Sequence, residues 1–301
     1  MIIGGTNTPP ELEKAPDYLL SDNLQKILEE NGYKVFIFSA SIPKPSLLKK
    51  KGIINYSEII EASNNIAKIV SEQRKKGRFI LSFWGDHLID VGVVKGILES
   101  SKRKFGVIMG DGHFDSNTPE TSITGNPHGM VAAIYMGKGD KHLVNLFKGK
   151  TVKPENVFIF GAQTEYFDFF LSDEREQKNL DNWGVNYITK PQIDKEKGKL
   201  NKLFNEVDKI YNNVDDVLFS LDMDVIDNAD SPGVAMSNPS GLSKGQLLKI
   251  VDYIHKNNSK IIAMSIVEID PTKDTSNKTL KLATEVIIKI LKNNTSKPKS
   301  L

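Results

Sequence analysis

The chain has 301 residues, of which 39% are hydrophobic, enough for one large α/β domain or two small ones. Its 40 basic and 38 acidic residues give a formal net charge of +2, so no global charge attracts nucleic acid or a membrane surface. The absence of cysteine excludes disulfides, thiolate metal ligands and a thiol nucleophile, and it fits a reducing cytoplasm. Because we find neither a signal peptide nor an apolar stretch near the roughly 20 residues of a membrane span, we expect a soluble cytoplasmic protein.

Short runs of β-branched and aromatic residues alternate along the chain with segments of helical spacing. The runs predict strands at residues 33–38, 79–84, 105–109, 157–160, 217–221 and 261–269. The helical segments are residues 18–30, 56–75, 244–255 and 277–291, the third with Ser243 as its N-cap. Continuous apolar runs are typical of strands that are buried on both faces. This order predicts a three-layer α/β/α sandwich with a mostly parallel central sheet.

The remaining segments indicate a single domain over residues 1–301. We find no internal repeat and no linker rich enough to separate two domains. The polar segment 168–182 is interpreted as a long surface loop, and the lysine-bearing segment 292–301 as a frayed tail.

The segment Gly-Asp-Gly-His-Phe-Asp at residues 110–115 directly follows the predicted strand 105–109. Its two carboxylates and one imidazole, from Asp111, His113 and Asp115, stand at every second position. In an extended backbone, side chains two residues apart share one face. These three side chains can therefore converge at a strand end, as a metal site requires.

Other predicted strands also end in groups that bind metals. Asp222 and Asp224 repeat the two-residue spacing after the strand 217–221, His87 follows the second predicted strand, and Glu268 lies near the end of the last. In open parallel sheets, ligands bind outside the carboxyl ends of the strands. We therefore expect these residues and the 110–115 segment to form one site.

Each of these motifs alone is more often a turn or a helix cap than a metal ligand. Together they bring four carboxylates close, and without a cation these would repel one another or take up protons. Two divalent ions would neutralise four aspartates. Oxygen-rich ligands with two imidazoles and no sulfur favour Mn²⁺, with Fe²⁺, Co²⁺ or Ni²⁺ as substitutes, over structural zinc or Mg²⁺. The predicted metal ligands are His87, Asp111, His113, Asp115, Asp222 and Asp224.

These motifs resemble those of the ureohydrolase family, which includes arginase, agmatinase and formiminoglutamase. The family's motifs stand in family order at residues 85–87, 111–115, 220–227 and 266–271, and the similarity covers nearly the whole chain. The resemblance implies an arginase-like fold and a metal-dependent enzyme that hydrolyses linear amidines. It also implies two Mn²⁺ ions per subunit and a homo-oligomer, either a trimer or a hexamer.

The resemblance further implies individual roles. One ion would be held by His87, Asp111, Asp115 and Asp222, and the other by His113, Asp111, Asp222 and Asp224, with Asp111 and Asp222 as bridges. Three residues would be catalytic: Asp115 orients the nucleophilic hydroxide, Glu268 pairs with the cationic amidine or guanidinium, and His128 shuttles a proton. Without the resemblance, the better interpretation of His128 is an ordinary loop histidine.

The segment that follows Asp115 resembles the arginase version of the family. Asn117, Thr124 and Asn126 match positions at which arginases bind the α-carboxylate of their substrate, with Thr124 in place of the usual serine. This match favours an amino-acid substrate over agmatine, which has no carboxylate.

Two departures from the arginase pattern leave the substrate open. The loop 161–168 lacks the family's arginine-and-acid pattern near the α-amino group, so Glu165 or Asp168 would have to substitute. The segment 231–241 is similar to formiminoglutamases, and Met236 there replaces a hydroxyl with a thioether.

We therefore expect an arginase-type hydrolase that acts on a small guanidino or formimino amino acid and releases urea. The alternative is a formiminoglutamase, which releases formamide, followed by an agmatinase or guanidino-acid hydrolase. A family member that only binds or regulates, and a one-zinc deacetylase on a related fold, are further alternatives. The complete ligand set argues against both, because each would dispense with part of it.

Overall fold

The computed structural model describes residues 10–21, 23–164, 174–256 and 258–292. The strands are β1 (Lys49–Lys50), β2 (Ile53–Ile54), β3 (Ile80–Phe83), β4 (Phe105–Gly110), β5 (Val157–Phe160), β6 (Asn186–Ile188), β7 (Asp216–Asp222) and β8 (Ile261–Val267). The α-helices are α1 (Ala15–Ser21), α2 (Leu24–Glu30), α3 (Tyr56–Lys75), α4 (Asp90–Ser100), α5 (Val131–Tyr135), α6 (Lys141–Asn145), α7 (Glu174–Trp183), α8 (Lys190–Lys195), α9 (Asn201–Asn213), α10 (Lys244–His255) and α11 (Lys278–Leu291).

Six of the strands form one parallel sheet in the order β3-β8-β7-β4-β5-β6, while β1 and β2 pair as a small antiparallel hairpin. Side chains alternate between the two faces of this sheet. On β7, Val217, Phe219 and Leu221 join the core beneath α1, α2, α9, α10 and α11, whereas Leu218 joins the core beneath α3, α4, α5 and α7. Both faces are thus buried, which explains the continuous apolar runs and confirms the three-layer prediction.

Several predicted elements are confirmed with their ends. Helix α3 spans the predicted residues 56–75, and β5 spans the predicted residues 157–160. Ser243 caps α10 as expected: its side chain accepts a hydrogen bond from the Gln246 backbone N–H, and the Gln246 side chain accepts one from the Ser243 backbone N–H.

The predicted strand at residues 33–38 is wrong, since residues 35–40 lie outside the strands. They line a cavity of ≈ 270 Å³ together with the edge strand β3. Aromatic and β-branched residues favour extended backbone, but a strand also requires a paired neighbour. The predicted helix at 18–30 is two helices, because Asn23 adopts a left-handed backbone with φ 57° ahead of α2.

The predicted loop at residues 168–182 is also wrong in part, because α7 occupies most of it. This helix buries only Glu176 and Leu180, so its polar sequence lacked a clear apolar stripe. Helix α4 was missed for the opposite reason: eight of its residues, from Asp90 to Ile97, are buried, which hides the helical period.

Some predictions fall on residues that the structure does not describe. These are the tail at 292–301, apart from Lys292, and the part of the loop between residues 165 and 173. Among the described helices, none combines the length and the apolar composition needed to cross a membrane.

Candidate active site

The candidate site lies at the carboxyl edge of four adjacent strands, β3, β8, β7 and β4. His87 follows β3 in a short 3₁₀ turn whose N-terminus is capped by Asp86. Asp111 follows β4, Asp222 ends β7, and Glu268 follows β8. Because parallel strands end at the same edge, residues far apart in sequence meet here, as predicted.

His87 stands at the centre of one group of carboxylates. Its Nδ1 lies 2.9 Å from Asp111 Oδ2, 3.2 Å from Asp115 Oδ2 and 3.5 Å from Asp222 Oδ2. All four residues are buried. The ligand atoms of His87, Asp111 and Asp115 are therefore close enough to share one ion, and Asp222 lies beside the same histidine.

His113 stands in a second group that shares one aspartate with the first. Its Nδ1 lies 3.1 Å from Asp224 Oδ2 and 3.5 Å from Asp111 Oδ1. The Gly112 backbone N–H donates to Asp224 Oδ1 at 3.0 Å, and a Cβ at Gly112 would lie 2.9 Å from that oxygen. The close approach of Asp224 to this segment therefore requires glycine.

Among the described residues, several potential ligand atoms of the site are buried without a hydrogen-bond partner, as expected for atoms that bind cations. Although His87 Nδ1 and Asp111 Oδ2 are buried and 2.9 Å apart, neither has a hydrogen-bond partner in the part of the chain that the structure describes. Buried polar atoms normally have a partner. Two unpartnered donor atoms that lie side by side are the arrangement of ligands directed at a shared ion. The ligand atoms of His87, Asp111 and Asp115 lie within 4.8 Å of one another, and so do those of Asp111, His113 and Asp224.

Three of the clustered carboxyl groups of the site have raised pKa values, which a bound cation would lower. Burial, together with the charges of Asp224 and Asp111, raises the pKa of Asp222 well above its ordinary value. Burial and the charge of Asp111 raise the pKa of Asp115 to about 6. Burial and Asp86 raise the pKa of Glu268 well above its ordinary value. The carboxylates thus resist ionising together unless a cation is bound.

The two histidines respond to the same field. Burial disfavours a charged His87, but the close carboxylates of Asp111, Asp115 and Asp222 raise its pKa well above the ordinary value. The pKa of His113 is likewise raised, because Asp224 and Asp111 outweigh its burial. Protons on these rings therefore compete with any metal for the same nitrogen atoms.

Two residues of the site have strained backbones. Asp115 has φ 48° and Glu268 has φ 61°, in the left-handed region that costs non-glycine residues roughly 1–3 kcal/mol. Glu268 Oε1 also accepts a hydrogen bond from the His87 backbone N–H at 3.0 Å. Strain of this kind persists where the surrounding structure fixes a side chain for function, and both residues were predicted to be catalytic.

His128 lies half-buried in a 3₁₀ turn (Pro127–Met130). Burial lowers its pKa, although the charges of Asp86 and Asp224 partly oppose the shift. The ring is therefore neutral at neutral pH, and it lies close enough to the metal-ligand candidates to feel their charge.

The predicted carboxylate-binding residues lie on the loop that leads to His128. The Asn117 backbone N–H donates to Gly129 O at 2.9 Å, which closes this loop at its base. Thr124 Oγ1 accepts from the Asn126 backbone N–H at 3.1 Å. Asn126 is buried, Asn117 is half-buried and Thr124 is exposed.

The two departures from the arginase pattern fare differently. Glu165 and Asp168, the predicted contacts for an α-amino group, lie outside the described residues. Met236 is half-buried beside the site, since the backbone N–H of its neighbour Ala235 donates to Glu268 O at 3.3 Å.

Sequence reasoning missed three buried polar residues behind His87, namely Asp90, Ser220 and Ser265. A signal was present, because the two serines interrupt the apolar runs of β7 and β8.

A parallel α/β/α sandwich that gathers histidines and aspartates at its strand ends defines a metal-dependent hydrolase as the class of protein. Residues 22–292 match the model of the Arginase family. The arginase of Bacillus subtilis (strain 168) is 30% identical over 282 residues, which cover 93% of this chain and 92% of that protein. The arginase of Staphylococcus aureus (strain COL) is 33% identical over 240 residues, or 79% and 76% of the two chains. The chain therefore belongs to the arginase family, and it is a metal-dependent ureohydrolase.

Solved structures agree with this assignment. The native arginase from Bacillus caldovelox has a TM-score of 0.86 at 27% identity, with 96% of each chain covered. The formimidoylglutamase from Bacillus subtilis has a TM-score of 0.69 at 20% identity, with 99% of this chain and 86% of that one covered. The second likeness shows the shared fold alone.

Proposed function

We propose that the chain is a binuclear manganese hydrolase that cleaves a guanidino C–N bond of a linear amino acid and releases urea. The observation that carries this proposal is the placement of Asp111. Its Oδ2 lies 2.9 Å from His87 Nδ1, and its Oδ1 lies 3.5 Å from His113 Nδ1. A carboxylate that directs one oxygen toward each of two imidazoles suits a bridge between two ions.

The described donors divide into two ligand sets. His87, Asp111, Asp115 and Asp222 would hold one ion, and His113, Asp111, Asp222 and Asp224 the other. Carboxylates and imidazoles without sulfur suit Mn²⁺, or Co²⁺, Ni²⁺ or Fe²⁺ in its place. When bound, such a pair of ions supplies the Lewis acidity that lets water act as a nucleophile at neutral pH.

The chain's own residues supply the remaining chemistry. Asp115, held in its strained conformation, accepts a hydrogen bond from the attacking water and orients it. Glu268 pairs with the planar cation of the substrate, for which a carboxylate is a two-point partner. The lowered pKa of His128 favours its neutral ring, which takes up a proton from solvent and passes it to the departing amine.

The loop before His128 favours an amino-acid substrate. Asn117, Thr124 and Asn126 offer amide and hydroxyl groups, which can donate hydrogen bonds to a carboxylate. Asn126 is buried and Thr124 is exposed, so the substrate's carboxylate would sit at the mouth of the site and its guanidinium near Glu268. Agmatine would leave these groups without a partner.

The second candidate function is hydrolysis of formiminoglutamate with release of formamide. Met236 favours it, because its neighbour Ala235 is hydrogen-bonded to the Glu268 backbone, and the resemblance implies a hydroxyl at the position of Met236 in arginases. A less polar pocket floor suits a smaller formimino group, which has fewer hydrogen-bond donors than a guanidinium.

Product analysis separates these candidates. We would load the purified protein with Mn²⁺ and assay urea and formamide separately from arginine, agmatine, guanidinobutyrate and formiminoglutamate. Urea from arginine is the expected result, whereas formamide from formiminoglutamate alone would support the second function. Hydrolysis of none of the four would contradict both.

A variant of the carboxylate-binding loop tests the substrate class. In Asn126→Ala, the KM for arginine should rise by about tenfold, because one buried hydrogen bond to a charged group is lost. The KM for agmatine should not change. Equal effects on both substrates would contradict a carboxylate subsite.

We further infer that the chain functions as a cytoplasmic, single-domain homo-oligomer, a trimer or a hexamer, that acts on small molecules and binds neither nucleic acid nor membranes. Light scattering of the purified protein tests the oligomer, and a monomer would contradict it.

A further inference from the structure

A chain of hydrogen bonds lies behind His87, on the side away from the proposed ions. His87 Nε2 lies 3.0 Å from Ser220 Oγ, which in turn lies 2.5 Å from Asp90 Oδ2. The other oxygen of Asp90 lies 2.6 Å from Ser265 Oγ. Each of the four residues is at most 1% exposed, so water cannot replace these contacts.

Three separate elements build this network. Ser220 on β7 and Ser265 on β8 are direct register partners, and Asp90 begins α4, which covers that face of the sheet. The positions two residues earlier in these strands are the apolar Leu218 and Ala263, both in the core. A buried carboxylate among apolar side chains is destabilising unless its oxygens are satisfied. Here each adjacent strand contributes one hydroxyl to it.

The direction of the hydrogen bonds follows from the carboxylate. Both serine hydroxyls donate to Asp90, one to each of its carboxylate oxygens. Ser220 has then used its one proton, and its oxygen can only accept from the Nε2–H of His87. A neutral imidazole with its proton on Nε2 presents a lone pair at Nδ1. Nδ1 is the atom 2.9 Å from Asp111 Oδ2.

We propose that Asp90 is a positioning residue which, through Ser220, holds His87 in the tautomer and ring orientation that bind a metal ion. This inference rests on the metal site of the proposed function. Without the carboxylate, Ser220 is free to donate its proton to Nε2, and that arrangement stabilises the tautomer with its proton on Nδ1. The metal would then have to displace that proton. Outer partners of this kind typically contribute about 10–100-fold to metal affinity.

Mn²⁺ binding by variants of the network tests the proposal. Competition with a chelator gives the affinity and the number of ions per chain. Asp90→Ala should weaken one of the two ions by about 10–100-fold. Asp90→Asn should lose less, because its amide oxygen still accepts from Ser220. The matched control is Asp216→Asn, another buried aspartate on the sheet but at its opposite edge, which should bind both ions as the wild type does.

A second measurement reports the ring itself. With ¹⁵N-labelled histidine and Cd²⁺ as a diamagnetic probe, the His87 Nε2–H should exchange slowly with solvent in the wild type. His87→Asn assigns this signal among the five histidines of the chain. In Asp90→Ala the exchange should accelerate. A purely structural role of Asp90 would lower the urea midpoint without changing this signal.

Moving the carboxylate provides the rescue. Because Ser265 is the register partner of Ser220, an aspartate introduced by Ser265→Asp lies beside the Ser220 hydroxyl. The double variant Asp90→Ala, Ser265→Asp should recover most of the Mn²⁺ affinity. Wild-type affinity and slow ring exchange in Asp90→Ala would overturn the proposal, as would a loss of both ions with no recovery in the double variant. A wild-type chain that binds no Mn²⁺ would instead overturn the proposed function itself.

Discussion

The carboxylates at the two ends of β7 and its neighbour β4 differ in how their charge is balanced. At the amino end, Asp216 pairs with the Arg103 guanidinium, with Nε 2.9 Å from Oδ2, and the arginine side chain is 60% exposed. At the carboxyl end, Asp222 stands among other buried carboxylates and two imidazoles. In the described residues, no ion pair joins lysine or arginine to any of these carboxylates.

This difference separates a structural charge from a functional one. The opposite charges of Asp216 and Arg103 at the amino end balance each other without a bound ion. The cluster at the carboxyl end is incomplete without cations, as the raised pKa values of Asp115 and Asp222 indicate. We therefore expect substitutions at the two ends to have opposite effects on the stability of the metal-free protein, and only those at the carboxyl end to lower activity.

The largest effect is expected for Asp222→Asn. If Asp222 is the shared ligand proposed above, its loss should remove several kcal/mol of transition-state stabilisation, which is about 10³-fold or more in kcat/KM. The metal-free variant should nevertheless unfold at a higher urea concentration than the metal-free wild type, because a carboxyl with a raised pKa opposes folding at neutral pH. Urea titrations in the presence of a chelator check this, and a less stable variant would contradict it.

His128→Asn should lower kcat by about 10²–10⁴-fold, the usual contribution of a general acid or base. It should leave the number of bound Mn²⁺ ions unchanged, because the histidine belongs to neither ligand group. Steady-state kinetics and metal analysis on one sample would test this prediction. A variant that loses metal together with activity would identify His128 as a ligand and not a shuttle.

Added Mn²⁺ should stabilise the carboxyl end by mass action. At about 100 times its Kd, one ion adds about 2.7 kcal/mol to the free energy of unfolding. Thermal melts at rising Mn²⁺ concentration measure the gain, and Asp216→Asn should show the same gain as the wild type. The absence of any gain would mean that the cluster binds no metal.

The metal-free protein should also lose stability as the pH rises. Burial raises the pKa of Asp115 to about 6, so its carboxyl binds more protons in the folded state than in the unfolded state. Its stabilising contribution is complete below about pH 4 and disappears as the pH passes about 6. The urea midpoint of the metal-free protein should fall as the pH rises from about 4 to about 6, and it should fall less steeply in Asp115→Asn than in the wild type. An identical slope would show that another group is responsible.

The smallest effect is expected for Asp216→Asn. The partner Arg103 is largely exposed, so water screens the pair, and its loss should cost about 0.5–1 kcal/mol of stability. Activity and metal content should stay at wild-type values. A large loss of activity here would remove the contrast between the two ends of the sheet.

Much of the candidate site was predictable because its residues follow strands that can be recognised from continuous apolar runs in the sequence. The alternation of Asp111, His113 and Asp115 after an apolar run is a local pattern, and the parallel sheet brings their partners to the same edge. Their role as ligands stays a prediction, as does that of His128. The position of Asp90 was not predictable, because it begins a helix that is buried on all sides.

The amino-acid sequence by itself determined the α/β order, the buried strands and the residue types of a metal site, since these depend on local spacing and hydrophobicity. Only the tertiary structure decided that residues 35–40 lie outside the strands and that the segment 174–183 is a helix. It alone joined Asp90, Ser220 and Ser265 into one network. Pairing and burial depend on contacts between distant segments, and no local pattern encodes them.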